Sequence, residues 1–188
     1  MSTQTAQRQA EAAQALWRLV ADDLMDRRQD NIVRNASDIV RAYFRPYNEN
    51  LTGPEPKLER KQLTNLESIA GETHSIALIA DFVRYQMGRD TKDREVDRTW
   101  RARLNLTGQQ VRFGDAILKQ LEEELREEAG SIVRAAQKED LKPANESDEK
   151  VFIWWLLARR FVSYLEHAFV CEETEYKERR KQARKKER

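Results

Sequence analysis

The stretch Val151–Val170, read VFIWWLLARRFVSYLEHAFV, constrains the fold of this chain more than any other. Its first eight residues are apolar without interruption, and its second half carries apolar residues at helical spacing. A helix that is apolar on nearly all sides is a buried one. A membrane span is disfavoured because Arg159 and Arg160 lie in mid-segment and Glu166 and His167 follow, and each such side chain is costly at bilayer depth. We therefore predict a central helix of a soluble protein, with other helices packed around it.

Composition supports a helical architecture for the rest of the chain. Of the 188 residues 36% are charged and 39% hydrophobic, while only six are glycine and four are proline. This is typical of long amphipathic helices. We predict an all-α fold, a single helical bundle of about five to seven helices over residues 1–176 with a loop near 47–57. Residues 177–188 are then a basic C-terminal tail or an extension of the last helix. The core is predicted to contain Trp154, Trp155, Phe161, Leu165, Leu118, Leu121, Ile79 and Val83.

Several helix boundaries follow from periodicity and from turn residues. The first helix is predicted over Thr5–Arg28, with Ala13, Leu16, Val20 and Leu24 as its apolar stripe. The second should end at Pro46, since proline disrupts a helix interior.

Later boundaries rest on capping residues. Thr73 or Ser75 is expected to cap the helix that carries Ile79, and Ser147 the central helix. Thr107-Gly-Gln-Gln110 matches a capping box, which predicts that a helix opens there. Residues 90–103 are highly charged and fit either a short helix or a loop, and no strand is predicted anywhere.

Chemical motifs are sparse. No glycine-rich phosphate loop and no metal-binding pattern occurs, and the two histidines, His74 and His167, lie near no recognisable nucleophile motif. We therefore assign no cofactor, metal or catalytic residue, and a non-enzymatic protein is favoured. The single cysteine, Cys171, excludes an internal disulfide, and no apolar signal region follows Met1. A cytoplasmic location is expected.

The positive charge of the chain is concentrated at its C-terminal end. Residues 177–188 carry eight basic and two acidic side chains, a charge of +6, which leaves −5 for the first 176 residues of a chain whose net charge is +1. Such a tail can bind nucleic acid or another polyanion, or it can be a solvated helix end that only aids solubility.

Arginine also recurs beside aromatic residues in the body of the chain. Arginine pairs bidentately with phosphate and a neighbouring ring can stack on a base, although helices also place inward rings beside outward arginines by geometry alone. The candidate nucleic-acid-binding residues are Arg84, Arg89, Arg112, Arg159 and Arg160 in the body, and Arg179, Arg180, Lys181, Arg184 and Lys185 in the tail.

Two short patterns resemble known families. Arg160 and His167 are separated by six residues, which resembles the Arg-x(4–6)-His motif of HEPN ribonucleases. Two helical turns place both side chains on one face. In that family the histidine acts as acid or base and the arginine holds the phosphate. The alternative is a half-buried histidine on an amphipathic helix.

The second resemblance is to the small helical subunit of type III CRISPR effector complexes. It rests on Tyr85-Gln-Met-Gly-Arg89, on the segment Thr107–Arg112 and on the aromatic segment Arg160–His167. The resemblance implies a non-catalytic bundle whose copies stack along a filament and whose basic side chains hold the nucleic-acid backbone, with Arg84, Arg89, Arg112, Arg159 and Arg160 at the matching positions.

We thus expect a non-catalytic subunit of a larger complex that binds RNA or single-stranded DNA through the backbone. Protein subunits and self-association are expected partners, and a membrane is not. The alternatives are a ribonuclease that uses Arg160 and His167, and a protein–protein adaptor with no nucleic-acid role.

Overall fold

The computed structural model describes residues 3–89, 99–137, 143 and 145–186, and within them the chain is a helical bundle with one small hairpin. The elements in chain order are α1 (Thr3–Arg27), α2 (Gln29–Glu49), α3 (Arg60–Glu72), α4 (Ile76–Arg89), β1 (Arg103–Leu106), β2 (Gln109–Arg112), α5 (Phe113–Lys119), a π-helical turn (Gln120–Glu124), α6 (Leu125–Gln137) and α7 (Glu146–Lys186). Since α5, the π turn and α6 are continuous, these elements form six helices, and the predicted all-α bundle is confirmed.

Helix α7 is the central helix, as predicted. It has 41 residues, which at 1.5 Å per residue gives a length of about 60 Å. It packs against α2, α3 and α6. Ile153, Leu157, Phe161, Leu165 and Phe169 recur every four residues along it, and each is at most 1% exposed. None of the described helices is long and apolar enough to cross a membrane.

The predicted core is largely correct. Of its eight residues, the six that are buried are Trp155, Phe161, Leu165, Leu121, Ile79 and Val83. Trp154 and Leu118 are only partly buried and pack at the edge of the core. Trp154 lies there because its indole N–H donates to the carbonyl oxygen of Leu121 in the π turn, at 2.6 Å. An indole N–H that leaves water usually finds such a partner.

The predicted apolar stripe of α1 is partly correct, because Val20 and Leu24 pack against the core whereas Leu16 and Ala13 do not. Trp17, Ala21 and Met25 face the core and are at most 2% exposed, whereas Leu16 is 50% exposed. Ala13 also faces solvent. Trp17 is the largest side chain of this helix, so burying it removes more apolar area from water than burying the neighbouring leucine would.

Pro46 does not end α2, which continues to Glu49. The tertiary contacts of the residue that follows explain the difference. Tyr47 is 7% exposed, and its ring lies 5.6 Å from that of Tyr43 and 6.3 Å from that of Tyr176. Proline removes one helical hydrogen bond, and the burial of Tyr47 holds the last turn in place.

The capping box predicted at Thr107 is wrong, and so is the expectation that the chain forms no strand. Arg103–Leu106 pairs with Gln109–Arg112 in an antiparallel hairpin. Thr107 and Gly108 form its two-residue turn with φ of 50° and 83°, as a type I′ turn requires. Helix α5 begins only after the hairpin, at Phe113.

The other two predicted caps have different outcomes. Ser75 caps α4, since its hydroxyl accepts the N–H of Leu78 at 3.4 Å. Ser147 does not cap α7. Asn145 does so, because its side-chain oxygen accepts the N–H of Ser147 at 3.1 Å and that of Asp148 at 3.4 Å. Of the charged segment 90–103, residues 90–98 lie outside the described residues, residues 99–102 are turn and irregular backbone, and Arg103 begins β1.

Candidate polyanion-binding groove

The basic C-terminal residues are a helix extension and not a separate tail. Helix α7 runs through to Lys186. Pairs of opposite charge four residues apart support the extension, with Lys177 Nζ 2.8 Å from Glu173 and Arg179 Nη2 3.0 Å from Glu175. Tyr176 anchors its base because the residue is 3% exposed and its ring packs against those of Phe44 and Tyr47.

The segment between α2 and α3 faces this extension and is held by the core. The backbone N–H of Leu58 donates to the hydroxyl oxygen of Tyr43 at 3.0 Å, and both residues are buried. Glu59 then forms a capping box with Gln62 at the start of α3. Arg60, the first residue of α3, pairs with the buried carboxylate of Glu166 at 2.8 Å. The loop between α2 and α3 and the extension of α7 are therefore both fixed to the same core.

Between these two walls lies a groove of about 810 Å³. We call it the basic groove, because seven of its lining side chains are cationic and three are acidic, a net charge of +4. The cationic residues are Lys57, Arg60, Lys177, Arg180, Lys181, Arg184 and Lys185, and the acidic ones are Glu55, Glu59 and Glu173.

The basic groove brings together four of the five candidate residues of the tail, namely Arg180, Lys181, Arg184 and Lys185. Arg179 is not in its lining and pairs with Glu175 instead. Sequence reasoning missed Lys57, Arg60 and Lys177. No local pattern marks Lys57 and Arg60, because they reach the groove only through the packing of the loop against α7.

Arg180 is the most fixed cation of the groove. Its side chain is 12% exposed and its Nη2 lies 2.9 Å from a carboxylate oxygen of Glu55. The guanidinium lies 5.9 Å from the ring centroid of Tyr176 and donates to the hydroxyl of that tyrosine. These contacts hold the charge in one place.

The candidate arginines in the body of the chain do not form a site. None of Arg84, Arg89, Arg112, Arg159 and Arg160 lines the basic groove. Arg159 and Arg160 line one small pocket together, and the other three lie elsewhere on the surface. Arg89 lies 6.0 Å from the ring of Tyr85, and Arg112 is exposed at the end of β2.

Two of these arginines are held by carboxylates. Arg84 pairs with Glu122 at 2.6 Å and with Asp81 at 3.1 Å. The hydrogen bond that Arg84 donates to the carboxylate of Glu122 raises the pKa of Arg84 above its ordinary value. Arg160 pairs with Asp26 at 2.7 Å. A phosphate would have to displace these carboxylates first.

The aromatic residues beside these arginines mostly face the core. Phe113 and Phe161 are fully buried. Arg159 lies over Trp155 at 4.8 Å, but Trp155 is only 5% exposed. For these neighbours the rings point inward and the arginines outward, as in the geometric alternative, whereas Tyr85, beside Arg84 and Arg89, is 60% exposed.

Arg160 and His167 line different pockets. Arg160 contributes to a pocket of about 370 Å³ beside Arg159 and α3, whereas His167 contributes to one of about 260 Å³ beside α2. The second pocket also contains Cys171, a free and exposed thiol. Among the described residues, no group of three or more His, Cys, Asp or Glu side chains is placed to hold a metal ion.

Searches of protein-family models, curated proteins and solved structures find no match to this chain.

Proposed function

We propose that this protein is a non-catalytic helical protein that binds the backbone of RNA or single-stranded DNA through its basic groove. The observation that carries the proposal is the net charge of +4 on one groove, in a chain whose total charge is only +1. A local positive field in a concave site attracts polyanions far more effectively than the same charges spread over a surface.

The arrangement of the cations favours contacts with successive phosphates. Lys177, Lys181 and Lys185 are spaced four residues apart along α7 and therefore lie on one face, about 6 Å apart along the helix axis. Arg184 adds a fourth cation beside them. Such a row neutralises several phosphates at once, and the counterions released give binding that weakens steeply with salt.

The groove offers little with which to read base sequence. Its lining includes one aromatic residue, Tyr176, and that ring is buried. Stacking of unpaired bases on exposed rings would add affinity to a charged groove, and cations that contact phosphates carry no sequence information. The proposed binding is therefore electrostatic and independent of base identity.

The test is a binding titration of the full-length protein with fluorescently labelled RNA and DNA oligonucleotides of mixed sequence, in a series of salt concentrations. Support would come from affinity that falls linearly with salt on logarithmic axes and varies little with base composition. If neither nucleic acid bound at the lowest salt, the proposal would be wrong.

Membership in a larger complex is part of the same proposal. The resemblance to the type III CRISPR small subunit stays a prediction, and one of its three elements differs, because Thr107–Arg112 belongs to a hairpin and does not open a helix. A cytoplasmic location agrees with the free thiol of Cys171. Co-purification of the tagged protein with its native partners would test the proposed assembly.

A protein–protein adaptor is the second candidate, because α1 exposes an apolar outer face. Leu16 and Leu19 are 50% and 66% exposed, and Ala12 and Ala15 lie beside them. Neighbouring exposed apolar residues are characteristic of contact surfaces. If this face mediates assembly, Leu16→Ser/Leu19→Ser should reduce the mass measured by sedimentation. The matched change Leu78→Ser, at a 57% exposed leucine of α4, should not.

A further inference from the structure

We propose that Arg180 and Arg184 form the phosphate-binding position of the basic groove, and that the carboxylate of Glu55 is an internal competitor which occupies it in the free protein. This inference rests on the proposed function. It assigns a phosphate oxyanion of the nucleic-acid backbone as the ligand at one point of the groove. It also assigns Glu55 as the group that limits the affinity of the groove for that phosphate.

The position of Glu55 is the first observation. One carboxylate oxygen lies 2.9 Å from Nη2 of Arg180 and 3.7 Å from Nη2 of Arg184. A single anionic oxygen thus stands between two guanidinium groups. Phosphate and carboxylate oxygens engage the same donors of arginine with similar geometry. A backbone phosphate would fit the contacts that Glu55 now makes.

The second observation is that the two sides of this ion pair differ in how firmly they are held. The side chain of Arg180 is 12% exposed and is fixed by Tyr176 independently of Glu55. The side chain of Glu55 is 61% exposed and belongs to the loop between α2 and α3. The acceptor can therefore leave while the donor stays in place, and a preorganised donor loses little entropy when it binds a new anion.

The third observation is an unused donor. Nε of Arg180 is buried and has no hydrogen-bond partner among the described residues. Glu55 thus does not saturate the guanidinium. Buried polar groups are usually paired, so this donor indicates that the present occupant satisfies the position only in part.

The ion pair with Glu55 is also weak enough to be exchanged. The carboxylate of Glu55 is 61% exposed, so water screens its side of the ion pair and the contact contributes little to stability. A carboxylate in a cationic groove also lowers the charge available to attract a polyanion. Both effects predict that removing this carboxylate increases the affinity for nucleic acid.

The experiment compares Glu55→Gln with the matched control Glu59→Gln. Both residues line the groove, and both changes raise its net charge by one. Only Glu55 pairs with Arg180 and Arg184. With a labelled oligouridylate as the probe, we expect Glu55→Gln to bind about three- to fivefold more tightly than wild type, as expected for an ion pair whose carboxylate is screened by water, and Glu59→Gln to differ less than about twofold.

A second variant makes the assignment to Arg180 specific. Arg180→Lys keeps the charge and loses the planar donor group. We expect the gain from Glu55→Gln to disappear when it is combined with Arg180→Lys, as a double-mutant cycle would show.

The outcomes separate this inference from the proposed function. If wild type binds and the two glutamine variants bind equally well, or if the gain persists with Arg180→Lys, the internal-competitor role is wrong and the groove proposal stands. If wild type, Glu55→Gln and Glu59→Gln all fail to bind at low salt, both proposals are wrong.

Discussion

The decisive prediction concerns three exposed cations on the helix extension. The triple variant Lys181→Ala/Arg184→Ala/Lys185→Ala removes three positive charges from the basic groove. Alanine is the strongest helix former, so α7 should remain intact. The anchor Tyr176 and the pair between Arg180 and Glu55 are left unchanged. The variant therefore tests the charge of the groove and not its folding.

The expected salt dependence of binding follows from the net charge of the groove lining. A net charge of +4 that neutralises about four phosphates gives a slope of about −3.6 for the logarithm of the binding constant against the logarithm of salt concentration on duplex DNA, and about −2.8 on a single strand. Wild type should then lose roughly 50-fold in affinity for a single strand between 50 and 200 mM salt. The triple variant, with a net charge of about +1, should show a slope of about −0.7 and lose roughly threefold over the same range.

The assay is fluorescence anisotropy with a labelled single strand, with circular dichroism as the check on folding. The matched control is Arg34→Ala/Arg103→Ala/Arg112→Ala, which removes the same charge from exposed positions that do not line the groove. Its slope should stay close to that of wild type. If the control lost as much of the slope as the groove variant did, the binding would reflect net charge alone and the groove would not be the site.

Three further predictions concern stability and the other candidate arginines. Tyr43→Phe leaves a buried N–H of the groove loop without its acceptor and should cost about 1–3 kcal/mol in urea denaturation, whereas Tyr85→Phe, at a 60% exposed ring, should cost nothing measurable. Leu165→Ala opens a cavity beside the fully buried face of α7 and should cost about 2–5 kcal/mol, against less than about 1 kcal/mol for the exposed Leu78→Ala. Arg84→Ala should leave nucleic-acid affinity unchanged in the anisotropy assay and lower stability by at most about 1 kcal/mol, because its carboxylate partners hold it at an exposed position.

Much of the fold could be predicted from local pattern. The apolar segment at the start of α7 and the four-residue spacing after it determine a buried helix, since no other structure buries those faces together. The hairpin was not predicted because its strands have only four residues each, so that the alternation in Arg103–Leu106 is too short to identify a strand and Gln109–Arg112 does not alternate. Thr107-Gly108 fits both a helix cap and a tight turn, and only the pairing of Arg103–Leu106 with Gln109–Arg112 decides between them.

Part of the candidate site could likewise be predicted from the sequence, and part could not. The concentration of positive charge at the C-terminal end can be counted directly from the residues. The sequence could not show which arginines are held by acidic partners, since the residues that pair with Arg84 and Arg160 include Glu122 and Asp26, far away in sequence. Nor could it place Glu55 among the tail cations.

These contacts depend on tertiary structure because a groove requires two walls, and the two walls here are more than a hundred residues apart in sequence. Side chains of α7 between Glu173 and Lys185 provide one wall, and the loop that Tyr43 ties to the core provides the other together with Arg60. Local sequence specifies helices through short-range periodicity. The partners of a charge, and hence whether it is available to a ligand, depend on long-range packing.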